Sequence, residues 1–317
     1  MTSRARGTAL AVATVLTLAA CGADEPGGTA SPEPSAESRT VLHALGETVI
    51  EGTPERVVVL DTGELDAVLA LGITPVGSVR TDVSDALPGY IQDAGVDPAD
   101  IANVGTIAEP NLEAIAALDP DLILTNRVRH EDIADQLSAI APTVFAEAIG
   151  ETWQENLLLD AEALGRTEDA EQLLAGHHER AAEVGAMFGD PAATEVSIVR
   201  FLDGSAARLY GEGSFIGAVL ADVGFGRPEL QRTTETFVEL SLEEISRADG
   251  DLVFYSSYGE EGGAVVQQVT GGGLWQGMPS VREGRAHEVS DDRWFLAIGP
   301  LGADLVLDDL TEIAAAS

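Results

Sequence analysis

The sequence predicts an α/β protein of two Rossmann-like lobes with mostly parallel sheets, joined by one long, rigid helical connector. Three observations predict it. Within residues 56–79 a β-branched run, a helix-spaced run and a second short apolar run follow one another; strand, helix, strand makes a parallel unit, because parallel neighbours need a crossover. The same order returns in the second half, and one phrase is written twice: NLEAIAALDPDLIL at 111–124 and SLEEISRADGDLVF at 241–254. Each places a Glu after a Leu at the start of a helix, then an Asp-x-Asp-Leu leading into an apolar strand. Between the halves, residues 151–188 carry apolar side chains at helical spacing.

Taken in order, residues 1–20 read as an export leader, with Arg4 and Arg6 in a basic start, an apolar run over 8–18, and small residues before Cys21. The run is too short to cross a bilayer, which takes ~20 residues. Leu18-Ala19-Ala20-Cys21 resembles the lipobox of bacterial lipoproteins, which implies that Cys21 is lipidated and becomes the new N-terminus. It is the only cysteine, so it has no internal disulfide partner. Residues 21–38 add Pro, Gly, Ser and acid, too polar to bury anything, and so form a flexible tether. Anchored in this way, the body sits at the extracytoplasmic face of a cell membrane.

The first lobe is expected over 39–150. RVVVL at 56–60 is a strand closed by Asp61-Thr62-Gly63, and ELDAVLALG is a helix ending at Gly72. ITPVGSV gives the next strand. A helix opens at Pro110-Asn111-Leu112-Glu113 and ends near Asp119-Pro120, LILT at 122–125 follows, and 142–145 supplies the last strand. The connector, 151–188, shows Trp153, Leu157, Leu158 and Leu164 in one segment and Leu173, Leu174, Ala181 and Val184 in another. Gly165 and Arg166 divide them, with Thr167 as N-cap of the second. A helix of ~20 residues spans ~30 Å, about the width of a small domain. The second lobe, 189–317, begins with the strand VSIVRF at 196–201. SFIGAVLADVG at 214–224 matches GELDAVLALG at 63–72, sharing Ala-Val-Leu-Ala and a closing Gly.

Composition excludes several functions. The chain has 317 residues, 45% of them hydrophobic, enough for two cores, and a formal net charge of −37. So anionic a surface disfavours nucleic acid and suits a soluble monomer. All 17 basic residues are Arg, so Walker A, Schiff-base and pyridoxal-phosphate chemistry, each of which needs a lysine amine, are unavailable. As an enzyme signature GEGSFIG at 211–217 is weak, because its third Gly falls one residue late for a dinucleotide loop; G-x-S-x-G and H-E-x-x-H are absent. Direct zinc or manganese binding would use His and carboxylates, yet His43, His130, His177, His178 and His287 are scattered, and the adjacent pair diverges by about 100° on a helix.

Open α/β sheets bind ligands at the carboxyl ends of their strands. Those positions are Thr62, Arg80, Thr106, Arg127, Arg129, Arg200, Tyr255 and Tyr258. Arg offers several fixed donors and the aromatics a flat apolar wall. The phrases PERVVVLDTGELDAVLALGITPVG, VGTIAEPNLEAIAALDPDLIL, LSAIAPTVF, LYGEGSFIGAVLADVGFGRP, LEEISRADGDLVF and LWQGMPSVREGRAHEV come in an order that resembles the iron-siderophore substrate-binding proteins of bacterial ABC importers, a class III group that includes cobalamin and haem binders. The resemblance covers roughly 41–310. It implies a ferric siderophore in an interlobe cleft, with the iron held by the siderophore and no cofactor, and adds Tyr210, Phe237 and Trp294 to the cleft. It also implies that Glu113 and Glu243, the duplicated acids, dock the permease of the importer; Glu244 stands beside the second. Some hydroxamate-binding relatives carry an Arg where this chain has Ile107. Trp275 is expected to pack in the core.

Overall fold

The computed structural model describes residues 38–316 except 82, 83, 94, 203 and 205. The leader, Cys21 and the tether up to residue 37 lie outside them. The chain enters through an antiparallel hairpin, β1 (Ser38–His43) and β2 (Gly46–Glu51), which the sequence reading did not anticipate. Val41 and Ile50 face inward, and Ala44 N donates to Phe145 O at 2.9 Å, so the hairpin is docked on the first lobe.

The first lobe is built on β3 (Val57–Val59), α1 (Thr62–Ala70), β4 (Gly77–Arg80), β5 (Ala102–Thr106), α2 (Leu112–Ala117), β6 (Leu122–Asn126) and β7 (Thr143–Ala146). Its sheet has the order β5-β4-β3-β6-β7, every pair parallel. Central strands of such a sheet are covered on both faces. Accordingly β3 and β6 are buried along their whole length. Of the expected strand ITPVGSV, only the last three residues lie in β4, which runs on to Arg80; the bond from Val76 N to Val57 O at 2.9 Å marks where the chain enters the sheet. Asn111 caps α2, its Oδ1 accepting from Glu113 N and Ala114 N at 3.1 and 3.0 Å, a cap contributing ~1 kcal/mol.

The connector is two helices, α3 (Trp153–Leu164) and α4 (Thr167–Met187), divided where expected by Gly165 at φ 69. The N-cap of α4 is Arg166 rather than Thr167, one residue earlier, and its side chain makes no capping bond. Leu174 on α4 packs against the main apolar cluster of each lobe, which ties the connector to both.

The second lobe contains β8 (Val196–Phe201), β9 (Ala206–Tyr210), α5 (Phe215–Val223), β10 (Phe237–Ser241), β11 (Leu252–Ser257) and β12 (Ala286–Glu288). The order β10-β9-β8-β11-β12 mirrors the first sheet, with β8 and β11 parallel at its centre. β8 and β9 are antiparallel, since the short link between them cannot make a crossover. The duplicated phrase has a structural counterpart. Asp121 accepts from Glu55 N and Arg56 N just before β3, and Asp251 accepts from Glu195 N just before β8, so the second Asp of each phrase pins the start of its lobe's central strand. The chain closes with α6 (Pro300–Ala316), whose first turn is capped from the first lobe: Asp66 on α1 accepts from Leu301 N at 2.9 Å and Gly302 N at 3.0 Å.

Candidate ligand-binding cleft

Between the lobes lies a cleft of about 540 Å³ whose walls come from the strand ends and following loops of the first sheet and from β8, β9, the start of β10 and the turn after β12 in the second. Two larger hollows, of about 870 and 650 Å³, are grooves on the outer surface, one along β12 and α6 and one over α4. The interlobe space is the stronger candidate, because both sheets direct their strand ends into it.

On the first-lobe side, β3 leads into Asp61, the N-cap of α1, whose Oδ1 accepts from Thr62 N at 2.7 Å. Asp61 Oδ2 accepts from Arg129 Nε at 3.3 Å and Asn126 Nδ2 at 3.1 Å, which binds the loop after β6 to the loop after β3 at the switch point of the sheet. Asn126 also donates to Glu64 Oε1 at 3.2 Å, beneath the floor. Burial, reinforced by the Asp61 charge, pushes the Glu64 carboxyl up to about 8, so it is largely neutral at pH 7.

On the second-lobe side, Arg200 at the end of β8 is held on three fronts. Its Nε and Nη2 donate to Asp291 Oδ1 and Oδ2 at 2.7 and 2.5 Å, and Nη1 donates to Tyr210 Oη at 3.1 Å. The guanidinium lies 4.5 Å from the Tyr258 ring centroid and 4.9 Å from that of Phe295. Beside it, Arg208 on β9 stacks 4.1 Å from the Phe237 ring centroid.

Of the expected cleft residues, the structure brings Thr62, Arg129, Arg200, Tyr210, Phe237, Tyr258 and Trp294 to this space. Trp294 backs the wall rather than facing it: it is 0% exposed and donates Nε1–H to Asp309 Oδ2 at 2.7 Å. Its neighbour Phe295 meets the Arg200 guanidinium instead. Four expected residues are elsewhere. Arg80 turns inward, donating to the carbonyls of Ser78 and Ile101 at 2.9 Å and to that of Asp85 at 3.2 Å, and so stitches the loop after β4 to the sheet. Thr106 Oγ1 accepts from Glu109 N at 3.2 Å in the turn before α2. Arg127 forms an ion pair with Glu147 on the outside. Tyr255 points to the opposite face of β11 from Ser256, as alternation along a strand requires, and packs edge-on to Trp275 at 5.0 Å. Trp275 itself is core, as expected.

Arg208 and Phe295 were not anticipated. Arg208 had a signal, since in AARLY it stands two residues before Tyr210 and so shares its face of the strand. Phe295 had none. A π-helical turn over Asp292–Leu296 decides that Trp294 goes inward and Phe295 to the cleft.

Glu113 and Glu243 are each the second residue of a helix, α2 and the 3-10 helix Leu242–Ala248, and each backbone N–H is bonded to the preceding cap, Asn111 or Ser241. Both side chains are exposed, and neither forms an ion pair among the described residues. Glu244 is paired with Arg247 at 2.9 Å.

A family model described as periplasmic binding protein matches residues 57–292. The chain is 40% identical over 308 residues to the probable siderophore-binding lipoprotein YfiY of Bacillus subtilis, covering 93% of each chain. It is 30% identical over 293 residues to the Fe(3+)-citrate-binding protein YfmC of the same organism, covering 90% of each. The fold is similar to Staphylococcus aureus SirA complexed with staphyloferrin B, with a TM-score of 0.78 and 30% identity over 86% of this chain and 97% of that one.

Proposed function

Because this chain belongs to the periplasmic binding protein family, we propose that it captures a ferric siderophore in the interlobe cleft and delivers it to an ABC importer. The single observation that carries the reading is the make-up of the cleft: arginines and aromatic side chains from facing strand ends, suited to gripping an organic coat. Among the described residues no group of three His, Cys, Asp or Glu side chains could hold a bare metal ion. The siderophore-binding and ferric-citrate-binding names of the two similar proteins support the same ligand class. These relatives are binding proteins, and no reaction is assigned to the cleft.

Glu113 and Glu243 present matching acids to two basic pockets of a permease; the pairing of Glu244 with Arg247 favours Glu243 at the second site. Lipidated Cys21 holds the protein at the extracytoplasmic face of the membrane, in keeping with the lipoprotein name of the 40% identical relative. No helix of the described residues is long and apolar enough to cross a membrane. The chelate-loaded protein acts as a monomer.

Titration of tryptophan fluorescence with a panel of ferric siderophores, with haem and cobalamin as controls, tests the ligand. Saturable, iron-dependent quenching by a siderophore without any product is expected; tighter binding of haem or cobalamin, or turnover, would overturn it. Glu113→Ala with Glu243→Ala should leave ligand affinity unchanged and abolish uptake, and surviving uptake would remove the docking assignment.

A further inference from the structure

We propose that Arg208 is the charge selector of the cleft and that the ferric chelate it admits carries free carboxylates and a net negative charge. This rests on the siderophore reading of the same cleft. The pairing register places Arg208 on β9 directly opposite Arg200 on β8, so both side chains leave the same face of the sheet. Like charges in directly opposed positions disfavour a sheet, so the pair needs something to hold it. Arg200 has it, in the two bonds to Asp291.

Arg208 does not. Glu239 stands opposite it on β10, yet no ion pair joins them, and no carboxylate among the described residues lies within ion-pair distance of Arg208. Its guanidinium rests on the face of Phe237. In a chain with 54 acids and 17 bases the ordinary fate of an arginine is an acidic partner, as for Arg127, Arg166, Arg180 and Arg232. Arg39, Arg56, Arg80 and Arg227 donate to backbone carbonyls instead; Arg208 has neither kind of partner among the described residues, and it faces the cleft. Across the space Arg129, its side chain 47% exposed, is offset by Asp61 through Nε and leaves its outer nitrogens as further donors. The neutral carboxyl of Glu64 below does not offset it at neutral pH.

The chemistry of ferric chelates then separates the classes. Three hydroxamates balance the charge of ferric iron and leave a neutral core, which offers nothing to an unpaired guanidinium. Tris-catecholates are anionic, but all six of their phenolate oxygens are bound to the iron, so they present no free carboxylate to a guanidinium fork. On the protein side Arg208 covers one face of Phe237, and Arg200 lies over one face each of Tyr258 and Phe295. These rings back the arginines and orient them. A carboxylate matches the fork of a guanidinium with two parallel bonds.

The test is calorimetric titration of the full mature protein, and of Arg208→Gln and Arg208→Lys, with ferric citrate, ferrichrome as a neutral trihydroxamate, and ferric enterobactin as a tris-catecholate. Circular dichroism and the unfolding midpoint establish that each variant is folded. The wild type is expected to prefer ferric citrate, Arg208→Gln to weaken it roughly tenfold or more, and Arg208→Lys to fall between. Raising the salt should weaken wild-type binding more steeply than that of Arg208→Gln. Preference for ferrichrome or ferric enterobactin, or a ferric citrate affinity indifferent to Arg208→Gln, overturns the selector and leaves the siderophore reading standing. Binding of none of the three overturns both.

Discussion

Glu64 sits on α1 beneath the cleft with Oε1 accepting from Asn126 and a buried Oε2 that has no partner. Asp61, Arg129 and, on α3, Asp160 are the charged or titratable groups that act on it. Burial is the main cause of its raised value, from 4.5 to about 8 in the folded protein. A group raised in this way contributes stability that is fully present below the unfolded value and is lost as pH rises through the folded one. Between pH 6 and pH 9 the wild type should therefore lose stability, and Glu64→Gln should lose less, as read from urea midpoints across that range. Equal slopes would show that Glu64 is not neutral in the folded protein. At this scale the sequence was a partial guide. Strand-end positions could be read from the strands themselves, which is how Thr62, Arg129, Arg200 and Tyr258 were found. Whether a residue at such a position turns into the cleft depends on backbone carbonyls left over nearby, and these captured Arg80. No local pattern encodes them.

Helices and strands were legible where a short-range rule fixes them. VSIVRF is β8 residue for residue, and Ser214 and Gly224 delimit α5 as cap and left-handed terminus. The hairpin of β1 and β2 escaped because its inward set is small and the sequence just before it is polar. Less legible still was the clasp at the edge of the cleft. Gly89 N donates to Asp292 Oδ2 at 2.9 Å, joining the loop after β4 to the π-helical turn of the other lobe. A Cβ at residue 89 would lie 3.1 Å from that oxygen, tighter than a side chain tolerates without a shift. Asp291, next in the chain, holds Arg200, so the same turn touches both the ligand wall and the opposite lobe. Asp292→Ala should raise the dissociation rate of the bound chelate roughly threefold to tenfold by stopped-flow, and Gly89→Ala should act in the same direction. The double variant should be no worse than the more severe single one, because both changes remove one contact. Additive effects would dissociate the two residues.

For the whole molecule, the two lobes are held by more than the connector. Asp66 reaches from α1 to cap α6, and a Cβ on Gly299 would lie 2.5 Å from Asp66 Oδ1, so the chain passes this carboxylate at close range. With α4 packed on both cores, wide opening would break buried contacts, and ligand capture should change the radius of gyration only slightly in small-angle scattering. A change of many ångströms would contradict this. Asp66→Ala should cost about 1–3 kcal/mol, through orphaned amides at the start of α6, measured by denaturant unfolding. The central claim is that the protein grips an iron already wrapped by its chelator and supplies no ligand to the metal. Absorption spectroscopy of the ferric chelate in the presence of stoichiometric protein tests it most directly. The charge-transfer band should keep its position while the chelate is retained with the protein on ultrafiltration. A band displaced toward that of an iron–tyrosinate, or release of free chelator into the filtrate, would contradict the account.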